Sequence, residues 1–217
     1  MLCAACVSNF KLLLILTFKI DKRLLFLLSL TFIGATVIGT ISHEFGHYLA
    51  AKIMGLDAHI NYAMTWLTNN NQMSFSQEAW FTLAGPLQTM LTGTIGFFFL
   101  YCSPKPTSQL SPGQWTLVFL TLFWLRQSAN FIVVAGTSIL TGKTRETEDE
   151  IKLSHYLNWP EWSIISASGL AGFIVLAFVL FKFIPKSQRL TFILSGLIGG
   201  ISGYLLWLVY FGKLIMP

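Results

Sequence analysis

Apolar residues are grouped in long blocks along this chain. An apolar run of about 20 residues is long enough for a helix to cross the hydrocarbon layer of a membrane. Five runs reach this length, and they extend from Leu24 to Met54, Ala79 to Cys102, Trp115 to Leu140, Trp162 to Phe183 and Leu190 to Leu214. The pattern predicts an all-α polytopic membrane protein with about five transmembrane helices. Residues 1–217 are expected to form a single membrane-embedded domain.

Between the first two spans, in residues 57–77, the pattern changes to alternation. Apolar Ile60, Tyr62, Met64 and Trp66 alternate with mostly polar neighbours, and three asparagines follow at 69–71. Such alternation favours a short β-hairpin with an Asn-rich turn, whose exposed edge could pair with an extended peptide. An irregular loop held at the headgroup level by its aromatic residues is the alternative.

The remaining segments complete the predicted organisation. Residues 1–23 form an N-terminal interfacial segment, although 1–20 could instead be a sixth span or an uncleaved start signal. Residues 24–54 form the first long helix, and two spanning helices occupy 79–141. An acidic loop covers 142–161 and two further spanning helices cover 162–214.

Composition and charge agree with a protein surrounded by lipid. Hydrophobic residues make up 54% of the chain, charged residues only 11%, and the mean hydropathy is +0.65. The net charge of +5 could suggest nucleic acid, but the basic residues divide unequally between the two membrane faces. The face that receives the N-terminus has eight and the other has five, which predicts a cytoplasmic N-terminus. We expect an integral protein of a bacterial-type cell membrane, with lipid as a partner and no nucleic acid.

The chemistry of the chain is concentrated in His43-Glu44-Phe45-Gly46-His47, near the end of the first apolar run. Residues four apart share one face of a helix, so both imidazoles can reach one metal ion while Glu44 projects toward a water molecule. A pair of hydrogen-bonded core histidines is the alternative. Two imidazoles and a carboxylate at membrane depth are costly unless a ligand or partner satisfies them. The pentad lies about 30 Å along the helix, so the predicted site is recessed near one membrane face.

A catalytic zinc ion usually has three protein ligands, so two histidines leave the site incomplete. Four acidic residues are concentrated in the segment from Arg145 to Lys152. The candidates for the third ligand are His59, Asp57, Glu78, Glu146, Glu148, Asp149, Glu150, His155 and Glu161.

Two motifs carry a resemblance to a known family. The segment HEFGHYLAAKIMG, from His43 to Gly55, resembles the zinc-binding helix of the site-2 protease family of intramembrane metalloproteases, and Ala84-Gly85-Pro86-Leu87 resembles that family's AGPL motif. The resemblance implies a divalent zinc ion, Zn2+, one per chain. It also implies an endopeptidase that hydrolyses peptide bonds in or near transmembrane segments of substrate proteins. His43 and His47 would bind the zinc and Glu44 would act as the catalytic base.

The chain also departs from the family pattern. The Asn that commonly follows AGPL is replaced by Thr89, beside Gln88, and the usual Leu-Asp-Gly motif of the third ligand is absent. The nearest counterpart has Asn130 in the third span and then Asp149, so the resemblance assigns the third zinc ligand to Asp149 in a divergent, compact member. The missing motif leaves a second hypothesis, a catalytically inactive protease-like membrane protein with a binding or regulatory role.

Peptide hydrolysis also requires a donor for the oxyanion of the tetrahedral intermediate. Asn130, Gln88, Arg126 and His155 are the candidates for this role or for positioning the substrate. Arg126 lies in the middle of the third apolar run, where an ionisable residue is a functional candidate.

Overall fold

The computed structural model describes residues 20–68, 73–104 and 109–217. Within these ranges, five helical stretches are long and apolar enough to cross a membrane: Lys22–Ile53, Phe75–Cys102, Pro112–Thr141, Ser163–Phe183 and Lys186–Ile215. This confirms the predicted fold class and a membrane protein. The predictions for the N-terminal segment fall almost entirely on residues 1–19, which lie outside the described residues.

The elements follow one another in a simple order. The first two spans are helix α1, Lys22–Ile53, and helix α2, Phe75–Cys102, and between them lie strands β1, Ala58–Ile60, and β2, Thr65–Leu67. The third span contains α3, Pro112–Thr121, a 3-10 turn at Leu122–Trp124, and α4, Leu125–Thr141. Helix α5, Asp149–Tyr156, precedes α6, Ser163–Phe178, which continues as a π-helix over Val179–Phe183. The last span contains a 3-10 turn at Lys186–Gln188, α7 at Arg189–Tyr204, a π-helix at Leu205–Phe211 and α8 at Gly212–Ile215.

Local sequence signals determine where these helices begin and end. The Asp21 side chain accepts a hydrogen bond from the Leu24 N–H at the start of α1, and Ser74 forms a capping box with Gln77 at the start of α2. The left-handed residue Gly55, with φ of 73°, follows the end of α1, as expected for a helix C-terminus.

The predicted hairpin is present, but its turn lies elsewhere. β1 pairs with β2 in antiparallel register, with His59 opposite Trp66, so the chain reverses at residues 61–64. Asn61 explains the reversal, because its side-chain oxygen accepts hydrogen bonds from the N–H groups of Ala63 and Met64. The alternating residues from Ile60 to Trp66 therefore include a turn and do not form one continuous strand. The asparagines at 69–71, predicted to form the turn, lie outside the described residues.

Small residues bring the spans into close contact. Gly199 and Gly203 of α7 pack on Phe32 and Thr36 of α1, and Gly96 of α2 packs on the end of α3. In lipid, helix association depends on such close packing because the hydrophobic effect does not favour contacts between helices over contacts with lipid. Gly199 and Gly203 thus have a packing role between the first and last spans.

The end of the last span supports the region beside the pentad. Trp207 Nε1 donates a hydrogen bond to the Tyr62 carbonyl at 2.9 Å, and the Tyr62 N–H donates to the Met216 carbonyl at 3.2 Å. The hairpin and the C-terminus therefore lie on the same side of the bundle, as five spans require. Helix α5, inside the predicted acidic loop 142–161, packs on α2 at this side.

Candidate metal centre

The ionisable side chains of the pentad are buried in the last third of α1. His43, Glu44 and His47 are 2%, 7% and 5% exposed. Their ligand atoms all lie within 4.8 Å of one another, so this group could hold a metal ion. The i, i+4 spacing has brought both imidazoles to one face, as predicted.

Asp149, the first residue of α5, reaches both histidines. Its Oδ2 lies 3.1 Å from His43 Nε2 and 3.2 Å from His47 Nε2, and the two Nε2 atoms are 3.2 Å apart. Ligand atoms around a tetrahedral zinc, at bond lengths of about 2.0–2.1 Å, lie about 3.3 Å from one another. The triangle formed by these three atoms therefore has the size expected for three ligands of one small cation.

The orientation of His47 supports a cation in this triangle. Its Nδ1 lies 2.7 Å from the Phe81 carbonyl oxygen, and because a carbonyl can only accept, Nδ1 is the donor. In the neutral ring, Nε2 then presents a lone pair to the Asp149 carboxylate and to His43. Atoms this close are held together by a proton on one of the ring nitrogens or by a metal ion between them. A hydrogen bond to a carbonyl is also the usual support of a metal-binding histidine.

Helix α2 can approach the imidazoles because it has glycine at the contact. A methyl group at Gly85 would overlap His47 Nε2 and would lie 2.7 Å from His43 Nε2. Gly46 of α1 packs in turn on the Ala84 carbonyl, 2.7 Å from the position of an added Cβ. The AGPL segment therefore forms one wall of the site, and Gly85 is the residue that fits there.

Helix α5 is held in place by a partly buried hydrogen bond. Asn130 Nδ2 of α4 donates to Glu150 Oε2 at 2.8 Å, and Glu150 is the residue that follows Asp149 in the chain. Burial raises the pKa of Glu150 to about 7, and the charge of Asp149 adds to the rise. At Asp149 burial acts in the same direction, but the hydrogen bonds of His43 and His47 outweigh it and hold the pKa well below its usual range. Asp149 is thus an anion fixed against the histidines.

The pentad is also tied to the hairpin. Thr65 Oγ1 donates to the Glu44 main-chain carbonyl at 2.8 Å, which places β2 directly beside the middle of the pentad. A peptide bound along the hairpin would therefore run close to Glu44.

The candidate oxyanion donors differ in what they already bind. Gln88 Nε2 donates to Ser42 and Thr92, and Asn130 donates to Glu150. Within the described ranges, Arg126 has neither a hydrogen bond nor an ion pair, although its charge opposes the raised pKa of Glu150. Arg126 lies one turn before Asn130 on α4 and retains all its donors for a ligand.

Several other candidates for the third ligand have different partners. Asp57 pairs with Lys52 at 3.1 Å, Glu148 pairs with Arg145 at 3.2 Å, and the His59 ring stacks on Trp66. Two groups that contact the pentad could not be identified from the sequence. They are the Phe81 carbonyl, since every residue has a carbonyl, and the Thr65 hydroxyl.

The centre as a whole comprises the buried imidazoles and Glu44 carboxylate together with the partly buried Asp149, and it lies between α1, α2 and α5. His43, Glu44 and His47 belong to the first span. Asp149 lies more than 100 residues later in the sequence. No protein-family model, curated protein or solved structure matches this chain.

Proposed function

We propose that this chain is a zinc-dependent endopeptidase that hydrolyses peptide bonds in or near membrane-spanning segments of other proteins, as a divergent relative of the site-2 proteases. The observation that carries the proposal is the approach of Asp149 Oδ2 to both histidine Nε2 atoms, next to Glu44. Two imidazoles and one carboxylate form a common ligand set of catalytic zinc. These three side chains would hold the ion, which could then also bind water or substrate.

Bound zinc supplies a Lewis acid that activates water and polarises a peptide carbonyl near neutral pH. Glu44 removes the proton from the attacking water and then delivers it to the leaving amine. His47 keeps its Nε2 directed at the centre because its Nδ1 is held by the Phe81 carbonyl. Arg126, whose donors are free among the described residues, stabilises the developing oxyanion or positions the substrate carbonyl.

The hairpin provides a way to hold the substrate in the extended form that hydrolysis needs. The exposed edges of β1 and β2 offer main-chain groups to an unwound segment, and Thr65 connects this sheet to Glu44. Substrate recognition by main-chain pairing agrees with a site recessed near one membrane face.

The first test measures zinc and peptide cleavage in the same preparations of the purified full-length chain. Wild type should contain one zinc per chain and should generate new N-termini in a mixture of purified single-span membrane proteins, detected by mass spectrometry. Glu44→Gln should keep the zinc but abolish cleavage, because the amide cannot accept the proton. Asp149→Asn should lower zinc affinity, whereas the neighbouring Glu148→Gln, which alters an outward ion pair with Arg145, should not.

The result can also contradict the proposal. A wild-type chain that remains zinc-free under metal-replete conditions would exclude the metal centre. A fully zinc-loaded chain that cleaves none of the membrane proteins would instead support a metal-binding membrane protein without peptidase activity.

A further inference from the structure

A cavity of about 380 Å³ lies beside the metal centre, between α2, α5 and α6. Its walls are formed mainly by apolar side chains, among them Leu83 and Met90 of α2, Leu153 of α5 and Ile164 of α6. This volume falls within the range of ligand-binding pockets. The proposed chemistry makes no use of the cavity.

The cavity and the metal centre are adjacent along two helices. Pro86 lines the cavity, and the residue before it, Gly85, packs on both imidazoles. Glu150 also lines it, and the residue before it, Asp149, contacts both histidines. A group bound in the cavity would therefore lie next to the reacting bond.

The outer part of the cavity is accessible from the surroundings of the bundle. Phe75, Trp80 and Leu157 line it and are 65%, 61% and 51% exposed. Phe75 and Trp80 belong to the second span and Leu157 follows α5, so the opening is bordered by exposed apolar side chains that suit an apolar segment. A purely aqueous ligand would have to cross this apolar border.

A deeply buried wall residue carries an unpaired acceptor. Gln127 is 1% exposed, and its Nε2 donates to Thr89 Oγ1 at 3.1 Å. The Thr89 hydroxyl itself donates to the Pro86 carbonyl at 2.8 Å, so it cannot donate to Gln127. Gln127 Oε1 is left without a hydrogen-bond partner among the described residues. A buried acceptor of this kind needs a donor, which a peptide N–H or a water molecule can supply and a lipid acyl chain cannot.

We propose that this cavity is a specificity pocket that binds a large apolar side chain of a membrane-spanning protein segment beside the bond to be cut. The assignment rests on the proposed peptidase function. The side chain fills the apolar space, and an N–H group of the same segment is available to Gln127 Oε1. The enzyme is therefore expected to prefer substrates with a large apolar residue at one position next to the cleavage site.

Photo-crosslinking tests the pocket without any need for cleavage. The Glu44→Gln chain is placed in lipid nanodiscs with a membrane-spanning Leu/Ala peptide of about 23 residues that carries one p-benzoylphenylalanine at its centre. Crosslinks should concentrate on cavity residues such as Leu153 and Ile164. Ser168→Phe fills the cavity from α6 and should reduce this labelling about tenfold, a loss of about 1.4 kcal/mol in binding.

The control is the adjacent residue of the same helix. Ala167 is exposed, so Ala167→Phe adds the same ring outside the cavity and should leave the labelling unchanged. Should Ser168→Phe fail to fold, Ala79→Phe fills the cavity from α2. Labelling spread evenly over lipid-facing residues, or labelling insensitive to the filling variants, overturns the proposal. So does a cavity labelled by a phospholipid with a photoactivatable acyl chain and not by the peptide.

These outcomes are separate from those of the zinc and cleavage test. Crosslinking requires neither bound metal nor hydrolysis, so its failure would remove the pocket and leave the peptidase proposal intact. A zinc-free chain that still labels at the cavity would remove the peptidase proposal and leave the binding pocket.

Discussion

Gly85 is the residue whose replacement tests the metal centre most directly without removing a ligand. A methyl group there would overlap His47 Nε2 and crowd His43 Nε2. Gly85→Ala should therefore lower zinc affinity by about 10- to 100-fold, the usual effect of disturbing the support of metal ligands. Competition with a fluorescent zinc chelator measures this change.

Gly39→Ala is the matched control, because nothing lies within 4 Å of a Cβ added at this glycine of α1. Its zinc affinity should equal that of the wild type. Equal affinities in both variants would mean that α2 can move away from the imidazoles at little cost.

At the scale of residues, the sequence was sufficient to identify the two histidines and the glutamate as the candidate site. The spacing of His43 and His47 was sufficient to predict that their imidazoles share a face, because helix geometry alone determines it. Asp149 could be selected only with the help of a family resemblance, since several acidic residues lie close by in the chain. The contact of Gly85 with the imidazoles depends on how two helices cross, which no local pattern encodes.

Helix α5 presents Asp149 to the centre, and the Asn130–Glu150 hydrogen bond holds this helix on α4. Asn130→Ala would leave the buried Glu150 carboxyl without this donor, at a cost of about 1–3 kcal/mol. We expect a lower zinc affinity and faster amide hydrogen exchange in α5, both because Asp149 is less firmly positioned. Exchange mass spectrometry and zinc titration check the two effects.

The same variant distinguishes two roles of Asn130. An oxyanion donor would, when removed, lower kcat while zinc affinity and exchange in α5 stay at wild-type values. Val133→Ala is the control for a general loosening of α4, since Val133 lies on the same helix and is 47% exposed.

At the scale of elements, hydropathy predicted the five spans well, because the thickness of a bilayer sets their length. The first predicted span, Leu24 to Met54, corresponds to α1 at Lys22–Ile53. The hairpin was predicted with the wrong turn, since alternating side chains on either side of Asn61 cannot be distinguished from one continuous strand. Helix α5 has only eight residues, too few to stand out within an acidic segment.

At the scale of the whole molecule, the order in which the spans pack was not predictable from apolar runs. All five present apolar surface to lipid, so hydrophobicity does not determine which helix contacts which. Small residues determine which helices can pack closely. Gly199 and Gly203 allow the last span to contact α1 at a distance from the pentad. The close contact that these glycines make with α1 involves residues 29–36, which precede the pentad on that helix.

This separation leads to a prediction about stability. A Cβ added at Gly199 would lie 2.6 Å from Phe32 Cβ and would overlap the Ser29 carbonyl, whereas the adjacent Gly200 has nothing within 4 Å. Gly199→Ala should therefore destabilise the fold by about 1–3 kcal/mol through overpacking, and Gly200→Ala should not. Thermal unfolding in detergent, followed by circular dichroism, measures the difference. Because the overpacked contact lies at residues 29–32, more than two helical turns from His43, the folded fraction of Gly199→Ala should bind zinc with wild-type affinity. A parallel loss of zinc affinity would instead mean that the seam between α1 and the last span positions the histidines, and that the fold and the site are coupled through the whole length of α1.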